Sequence, residues 1–499
     1  MTLLKILASL SGLLYSILQV NYFGTSPAVE AYFVAASLMY LVVSLMQAGQ
    51  LSEILLPVYH KIKVERGVEA AHVVFSIVIN TVGIYLGLGL LVVFLLKDVL
   101  VGLIAPGFDL AQQVFTARIF ITFLPLIFLL IMTSFVATWF NAEGKFGRVE
   151  FVGVINSVVS VVLLIVFHEY WGVWVLVVSI FIGKIVEAVV YLFMMNRYGY
   201  RHKWVLSVAY FNRMLFFRNM MVTFGYVLAS QFYNIVITAC ATLLPQGTYA
   251  VFSYAQQLYV KATGFLVQPI QTYFFSKYSR NVSNNLQQDS LVPNAIRLYL
   301  AIYILVISLV YWSGKDILML IWFKNTNPGV LALGATYLIA NFATLIFSSI
   351  GGVYRKIAIS HGEVKILYFA WIVCQLLSAA SIYCLTKLWG EAGLTFAILF
   401  NLGLLNMASI LIVHLKQHLR LVGLKLIVIK YSLLFVGTYS VAGLLYHYGN
   451  ELNVIFSSIN GLDLAFKLTS FSLVIVLVHL LLLKLLGEFS LLNVKRNEL

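Results

Sequence analysis

Charged residues are scarce in this 499-residue chain: Asp, Glu, Lys and Arg together make up only 10% of it. Soluble domains carry about 25%. Hydrophobic residues make up 62% of the chain, and its mean hydropathy is +0.97. No long polar stretch separates the apolar runs. The chain therefore has too little polar surface for a large soluble domain, and its composition indicates an integral membrane protein.

Cysteine and acidic residues are also rare. The three cysteines lie in apolar runs without the spacing of a metal site or a disulfide framework. Basic residues outnumber acidic ones by 32 to 18, but they occur in short clusters between apolar runs. That distribution is typical of loops facing anionic lipid and argues against a nucleic-acid partner. The apolar runs are also too long and continuous for the alternating strands of a membrane β-barrel.

The apolar runs predict about fourteen transmembrane helices, since a helix needs about 20 apolar residues to cross the bilayer. Their approximate centres are residues 13, 43, 84, 129, 157, 183, 231, 262, 303, 342, 375, 402, 435 and 475. The first run lacks a small-residue cleavage site, so we interpret it as a membrane helix and not as a signal peptide. An even number of spans places both termini on the same side.

The positions of Lys and Arg predict that both termini are cytoplasmic. In that orientation the inner loops and the C-terminus carry these cations: Lys61, Lys63, Arg66, Lys145, Arg148, Arg197, Arg201, Lys203, Arg213, Arg218, Lys277, Arg280, Arg355, Lys356, Lys365, Lys416, Arg420, Lys425, Lys495 and Arg496. The outer loops carry only Lys97, Arg118, Lys315, Lys324, Lys387 and Lys467.

Two short sequences recur at one spacing of 218 residues (315 − 97 and 389 − 171). Lys97-Asp98-Val99-Leu100 matches Lys315-Asp316-Ile317-Leu318, and Trp171-Gly172 matches Trp389-Gly390. Each copy contains six spans, so both copies have the same orientation. Parallel repeats of this kind are a transporter architecture with the substrate site between the halves.

We therefore predict an all-α polytopic membrane protein with a parallel 6+6 repeat plus two C-terminal helices. Residues 1–218 are predicted to form an N-terminal six-helix bundle and residues 219–420 a C-terminal one. Residues 421–499 are predicted to add two transmembrane helices and a short cytoplasmic tail. The amphipathic segment Leu100–Arg118 is predicted to lie on the outer leaflet as an interfacial helix.

Polar side chains inside the predicted spans are candidate substrate contacts, because such groups are costly at membrane depth. Lys261, near the middle of the eighth span, is predicted to bind an anion such as a lipid phosphate. The alternative is that its side chain extends to the interface or pairs with a backbone carbonyl. Tyr254, Gln257 and Gln268 share the helical face of Lys261. In the order Tyr254, Gln257, Lys261 and Gln268, successive residues lie three, four and seven positions apart.

Further polar residues extend this predicted cavity: Gln231, Asn234, Gln47, Gln50 and Glu53. Hydrogen bonding between helices is the alternative interpretation of such residues. Lys184 and Glu187, three residues apart in the sixth span, are predicted to form a structural ion pair inside the bundle. We expect no metal ligands and no catalytic residues.

Several stretches resemble the MurJ/MviN-type lipid II flippase family, within the multidrug/oligosaccharidyl-lipid/polysaccharide exporter superfamily. They are Tyr22-Phe23-Gly24-Thr25-Ser26 continuing through Glu30-Ala31-Tyr32-Phe33-Val34-Ala35, then Ala105-Pro106-Gly107-Phe108-Asp109, Phe140-Asn141-Ala142-Glu143-Gly144-Lys145-Phe146, and the weaker Tyr254-Ala255. Their order and spacing fit the family, as do fourteen spans with both ends inside. The likeness covers most of the chain and is clearest in its first half.

The resemblance implies an alternating-access flippase of the bacterial inner membrane, with a central cavity between the halves and a groove for the lipid tail at the two extra helices. Such flippases typically line the cavity with arginines, whose places are taken here by Ser9, Tyr15, Val43 and Gln257. Glu30 keeps the acidic position after the first span and is predicted to be a further substrate contact in the cavity. Lys261, one helical turn after Gln257, is expected to supply the lost cation.

The sequence thus predicts a carrier of a polyprenyl-(pyro)phosphate-linked saccharide, either a lipid II-like peptidoglycan precursor or a related cell-surface glycan lipid. We expect its partners to be that lipid and the bilayer, with no cofactor, and we expect it to act as a monomer. A cation-coupled multidrug exporter of the same superfamily is the first alternative, although its carboxylate-lined cavity is not evident here. A polytopic saccharide polymerase or ligase is the second, although the outer loops are short.

Overall fold

The structure of the protein is a computed structural model that describes residues 2–47, 51–266, 274, 278, 291–322, 327–416, 424–455 and 461–488. Within these ranges the chain forms fifteen helices and no extended strand. The helices are α1 (Thr2–Phe23), α2 (Pro27–Gln47), α3 (Leu51–Arg66), α4 (Val68–Leu95), α5 (Lys97–Ile104), α6 (Leu110–Ala142), α7 (Phe146–Trp171), α8 (Trp174–Arg197), α9 (Arg213–Thr242), α10 (Thr248–Leu266), α11 (Leu291–Ile321), α12 (Pro328–Ser360), α13 (Val364–Leu415), α14 (Leu424–Ile455) and α15 (Gly461–Leu485).

The predicted spans coincide with these helices. All fourteen predicted centres fall inside a helix, and α13 contains two of them, residues 375 and 402. In the described part of the chain, eleven helices are long and apolar enough to cross a membrane. The prediction of an all-α polytopic membrane protein is confirmed.

The repeated Trp-Gly pairs have matching backbone geometry. Gly172, between α7 and α8, has φ 51° and ψ −138°, and Gly390, within α13, has φ 56° and ψ −128°. Positive φ is strained for residues with a Cβ but accessible to glycine. Each glycine turns the chain from one predicted span into the next, so two positions 218 residues apart perform the same local task. This match supports the repeat inferred from the sequence.

Residue contacts divide the chain into two compact units, Met1–Ala250 and Val251–Leu499. In the first unit α1 packs on α7, α2 on α6, and α7 on α8. Helix α9, which the repeat assigns to the second bundle, packs on α2 and α5 of the first unit. The bundle boundaries at residues 218 and 420 stay a prediction.

The segment Leu100–Arg118 is not the single interfacial helix that we expected, because α5 ends and α6 begins within it. Asp109 caps the new helix, since its carboxylate accepts a hydrogen bond from the backbone N–H of Gln112 at 2.7 Å. The turn between the two helices lies directly against the end of α9. A Cβ at Gly107 would overlap the backbone carbonyl of Thr242. The sequence Pro106-Gly107 therefore begins a turn that packs tightly against the end of α9. The amphipathic pattern covers parts of two helices.

In the second unit, α14 and α15 both pack on α11, and a buried histidine joins all three. His479 of α15 is 2% exposed. Its Nε2 lies 2.8 Å from the carbonyl oxygen of Ala301 in α11, and its Nδ1 lies 2.9 Å from Oγ1 of Thr438 in α14. Because a carbonyl only accepts, Nε2 of the neutral ring carries the proton and the Thr438 hydroxyl donates to Nδ1. These two hydrogen bonds form one polar link between the three helices.

Ion pairs join the same helices on either side of that histidine. Glu488 is buried after the end of α15, with its carboxylate 2.9 Å from Nζ of Lys430 and 4.0 Å from Nε of Arg297. In the other direction along the helices, Lys467 Nζ lies 3.4 Å from Oδ2 of Asp316. Buried charges require partners of this kind because isolated ones are costly. The two additional helices are therefore attached to α11 at three levels.

Replacing His479 with Ala should lower the stability of the second unit by about 1–2 kcal/mol, because Thr438 and the Ala301 carbonyl lose an interhelical partner in an apolar surrounding. The measurement is the melting temperature of the purified protein in detergent. Leu481→Ala is the matched control, since Leu481 is exposed on the same helix. Equal melting temperatures for His479→Ala and the wild-type protein would contradict this account of the three-helix contact.

Candidate functional site

Glu30 lies in the first turn of α2 and is only 3% exposed. Its Oε1 accepts hydrogen bonds from the backbone N–H groups of Gly247, Tyr249 and Ala250, at 2.9, 3.1 and 3.4 Å. These amides begin α10, where no intrahelical acceptor exists and the helix dipole is positive. In this structure the carboxylate therefore anchors the start of α10 to α2. The predicted role of Glu30 in substrate contact stays a prediction.

Beyond its first turn, α10 packs into the second unit. Tyr254 is 2% exposed, and its ring centroid lies 6.0 Å from that of Trp322. The Tyr259 hydroxyl lies 3.1 Å from Oγ1 of Thr344 in α12. Gln257, on the predicted face, is half-buried. Tyr254 therefore packs α10 into the core of the second unit. The predicted face that carries Gln257 lies beside this core.

Lys261 is half-buried farther along α10. Within the described ranges no carboxylate lies within 4.0 Å of its ammonium group. A cation on a helix of a membrane bundle is costly, and it is retained where it faces water or meets an anion. The position therefore suits a site for an anionic ligand.

Two predicted contacts of the first unit lie side by side on α9. Asn234 is exposed and Gln231 half-buried, and Asn234 Nδ2 lies 3.5 Å from Gln231 Oε1. Their amides present donors and acceptors together, as saccharide hydroxyls require. Gln50 and Gln268 lie outside the described residues, as do the side chains of Gln47 and Glu53.

Lys184 and Glu187 face each other in α8, with Nζ 2.7 Å from Oε2. Asn156 of α7 donates to the same oxygen at 2.9 Å. The Glu187 carboxylate is buried, and both of its partners lie inside the protein. This geometry links α7 to α8 and matches a structural ion pair.

A cluster that the sequence analysis did not single out lies where α3 meets the end of α6. Glu143 accepts a hydrogen bond from the Tyr59 hydroxyl at 2.7 Å and binds Lys63 Nζ at 2.8 and 2.9 Å. Trp139 in turn donates its ring N–H to the Tyr59 oxygen at 3.2 Å. Burial alone would raise the pKa of Glu143. The hydrogen bonds from Lys63 and Tyr59 outweigh it and hold the pKa below its usual range.

The stretches that carry the family resemblance are mainly turns of the first unit. Residues 22–26 join α1 to α2, residues 105–109 join α5 to α6, and residues 140–146 join α6 to α7. In the last of these, Gly144 N–H donates to the Asn141 carbonyl and Lys145 N–H to the Phe140 carbonyl, at 3.0 and 2.8 Å. Glu143 lies in this stretch, so the resemblance was the signal that could have revealed its cluster.

Solved structures with this fold are membrane transporters. A structure of the lipid II flippase MurJ in an inward closed conformation matches with a TM-score of 0.79 and 16% identity, covering 97% of this chain and 99% of that one. An inward-facing multidrug resistance MATE family transporter of the MOP superfamily matches with a TM-score of 0.64 and 15% identity, over 83% and 94% of the two chains. A mutant of the Vibrio cholerae MATE transporter VcmN matches with a TM-score of 0.56 and 16% identity, over 82% and 96%.

The chain therefore shares the polytopic helical fold of these transporters. No curated protein sequence matches the chain. A family model described as lipid II flippase MurJ matches residues 19–461, which is most of the chain. The protein belongs to the lipid II flippase MurJ family.

Replacing Glu143 with Gln should destabilise the first unit by about 1–3 kcal/mol at neutral pH, because hydrogen bonds to a charged group are lost. A lowered pKa stabilises the fold above the usual carboxyl range and loses that effect as pH falls through the lowered value. The difference in melting temperature between wild type and variant should therefore shrink on acidification.

Melting temperatures of both proteins over a series of pH values test this. Glu169→Gln removes an exposed carboxylate from the same unit and should change little at any pH. A Glu143→Gln difference that stays constant or grows as pH falls would contradict the assignment.

Proposed function

We propose that this protein is an alternating-access flippase that moves a polyprenyl-(pyro)phosphate-linked saccharide from the inner to the outer leaflet. The observation that carries the proposal is the MurJ family match over residues 19–461. The shared fold with a MurJ structure along 97% of this chain supports it. The multidrug transporters share the fold less completely, so the exporter alternative is not favoured.

Transport of this kind needs a polar path for the headgroup only. Pyrophosphate and sugars are costly to place in hydrocarbon, whereas the polyprenyl tail is soluble there. The protein therefore supplies hydrogen-bonding groups for the headgroup while the tail stays in the lipid. Movement of the headgroup across the membrane requires no covalent step. Membership of a flippase family agrees with a carrier that has no catalytic residues.

Lys261 is the residue that we assign to the phosphate. It has no carboxylate partner among the described residues, and Gln257 lies one turn before it. The substrate's phosphate would neutralise the charge of Lys261 when it binds. Moving one charge across the membrane yields about 2.3 kcal/mol per 100 mV, so the membrane potential can reset such a carrier.

The saccharide contacts that we propose are the amides of Gln257, Gln231 and Asn234, with Gln268, Gln47, Gln50, Glu53 and Glu30 as further members of the site. Tyr254, buried against Trp322, would set the orientation of the face that carries Gln257.

The substrate is either lipid II or a related glycan lipid, and the missing arginines bear on this choice. Tyr15 stands at one of their places, and its hydroxyl contacts the Leu176 carbonyl and the Ser179 hydroxyl of α8 at 3.2 and 2.9 Å. That position therefore serves helix packing here. Lysine is a point charge, unlike the bidentate guanidinium, so the headgroup would be held with a different geometry.

The protein is a multi-pass membrane protein, and we propose the bacterial inner membrane as its location. The excess of Lys and Arg in alternate loops supports cytoplasmic termini. We also propose that the protein acts as a monomer.

Depleting the gene in its host and measuring polyprenyl-linked lipids by mass spectrometry tests the substrate class. Accumulated lipid II with failing cell walls is expected if the substrate is the peptidoglycan precursor. Another accumulated glycan lipid with normal peptidoglycan would identify a surface-polysaccharide flippase. If no lipid accumulates in a strain without a second carrier, the flippase proposal is overturned in favour of the exporter.

Lys261→Ala should abolish complementation of the depleted strain, because the phosphate loses its cation, while Lys261→Arg should restore part of it. The measurement is growth and lipid accumulation at matched protein levels in the membrane. Lys365→Ala is the control, since Lys365 is exposed and outside the proposed site. Full complementation by a well-expressed Lys261→Ala protein would refute the site assignment.

A further inference from the structure

A cavity of about 490 Å³ opens at the predicted cytoplasmic end of the first unit, and none of its lining residues is among those assigned to transport. Helix α7 supplies three of its six lining residues, and the others come from α1, the residue before α7 and the residue after α8. Its lining residues are Leu4, Lys145, Gly147, Arg148, Phe151 and Tyr198. One end of the cavity is thus cationic and the other apolar.

The two cations are not neutralised by carboxylates. Among the described residues, no Asp or Glu lies within ion-pair distance of Lys145 or Arg148. The nearby Glu143 is already engaged by Lys63 and Tyr59. Two adjacent cations without a counter-charge form a site at which an anion would bind.

Lys145 is held in place by an aromatic ring. Its Nζ lies 3.1 Å from the centroid of the Tyr198 ring, and that ring packs edge-on against Phe140 at 6.0 Å. A cation over an aromatic face is stabilised but keeps its N–H donors for a further partner. The ammonium is therefore positioned before any ligand binds.

The apolar end of the cavity continues as a stripe along α7. Phe151, Val158, Val162 and Ile165 are all exposed, and their spacings of seven, four and three residues place them on one helical face. On a membrane-spanning helix such a face contacts acyl chains. A ligand with a phosphate at Lys145 and Arg148 and a chain along this stripe would match the whole surface.

We propose that this cavity binds the headgroup of an anionic phospholipid of the inner leaflet, with one acyl chain along α7. Basic pockets at the cytoplasmic ends of membrane helices bind such headgroups. The cavity shares no residue with the proposed transport site, so we expect the bound lipid to stabilise the α1–α7–α8 contact and not to be carried across the membrane. Its chemistry distinguishes it from a soluble phosphate, because the apolar stripe contributes only when a chain is attached.

The test is native mass spectrometry of the purified full-length protein titrated with phosphatidylglycerol or with phosphatidylcholine of the same chains. The wild-type protein should prefer phosphatidylglycerol. Lys145→Gln/Arg148→Gln should weaken phosphatidylglycerol binding about tenfold, as expected for the loss of charge-assisted contacts. Lys145→Arg/Arg148→Lys should keep the wild-type affinity, and glycerol 3-phosphate should compete poorly.

Arg201→Gln/Lys203→Gln is the matched control, because it removes the same charge from exposed positions that do not line the cavity. Its affinity should equal that of the wild-type protein. An equal loss in both double variants would overturn the proposal in favour of diffuse charge attraction. Equal binding of both lipids would also overturn it, and effective competition by glycerol 3-phosphate would reassign the cavity to soluble phosphates.

Discussion

A polar group inside a membrane protein must find its partner within the chain, because hydrocarbon supplies none. The described residues meet this constraint with a few buried side chains that each bind several groups. Glu30 satisfies three amides at the start of α10, and His479 connects three helices through its two ring nitrogens. These polar contacts add to the packing of the apolar helices and connect particular positions on neighbouring helices.

The two sites proposed for this protein depend on cations that lack such a partner. Lys261 on α10 and the pair Lys145 and Arg148 on α7 carry charge without a carboxylate partner in the described part of the chain. Lys184 and Lys430, by contrast, are paired with Glu187 and Glu488. Charge left uncompensated inside or beside a bilayer is stable only when water or an anionic ligand completes it. Transport and lipid binding would then use the same physical device at two places.

Much of the fold could be predicted from the sequence because membrane helices follow from one-dimensional information. A span is a run of apolar residues of sufficient length, so all fourteen predicted centres fall inside helices. The Trp-Gly repeat was visible for a similar reason, since a turn with positive φ needs glycine at one position in each copy. The ion pair of Lys184 and Glu187 depends on a spacing of three residues within one helix.

What the sequence could not show depends on contacts between distant segments. The segment after the third span looked like one amphipathic helix, but α5 ends and α6 begins within it, and the turn between them packs closely against the end of α9. The Tyr59, Lys63 and Glu143 cluster joins residues about 80 positions apart, and the anchor of Glu30 on α10 spans more than 200.

The sequence by itself therefore determined the membrane class, the helices, the repeat and the family resemblance, because each depends on local composition or spacing. Only the tertiary structure decided which polar groups bind other groups of the protein and which lack such a partner and could bind a ligand. That choice depends on the partners that the fold brings to each side chain.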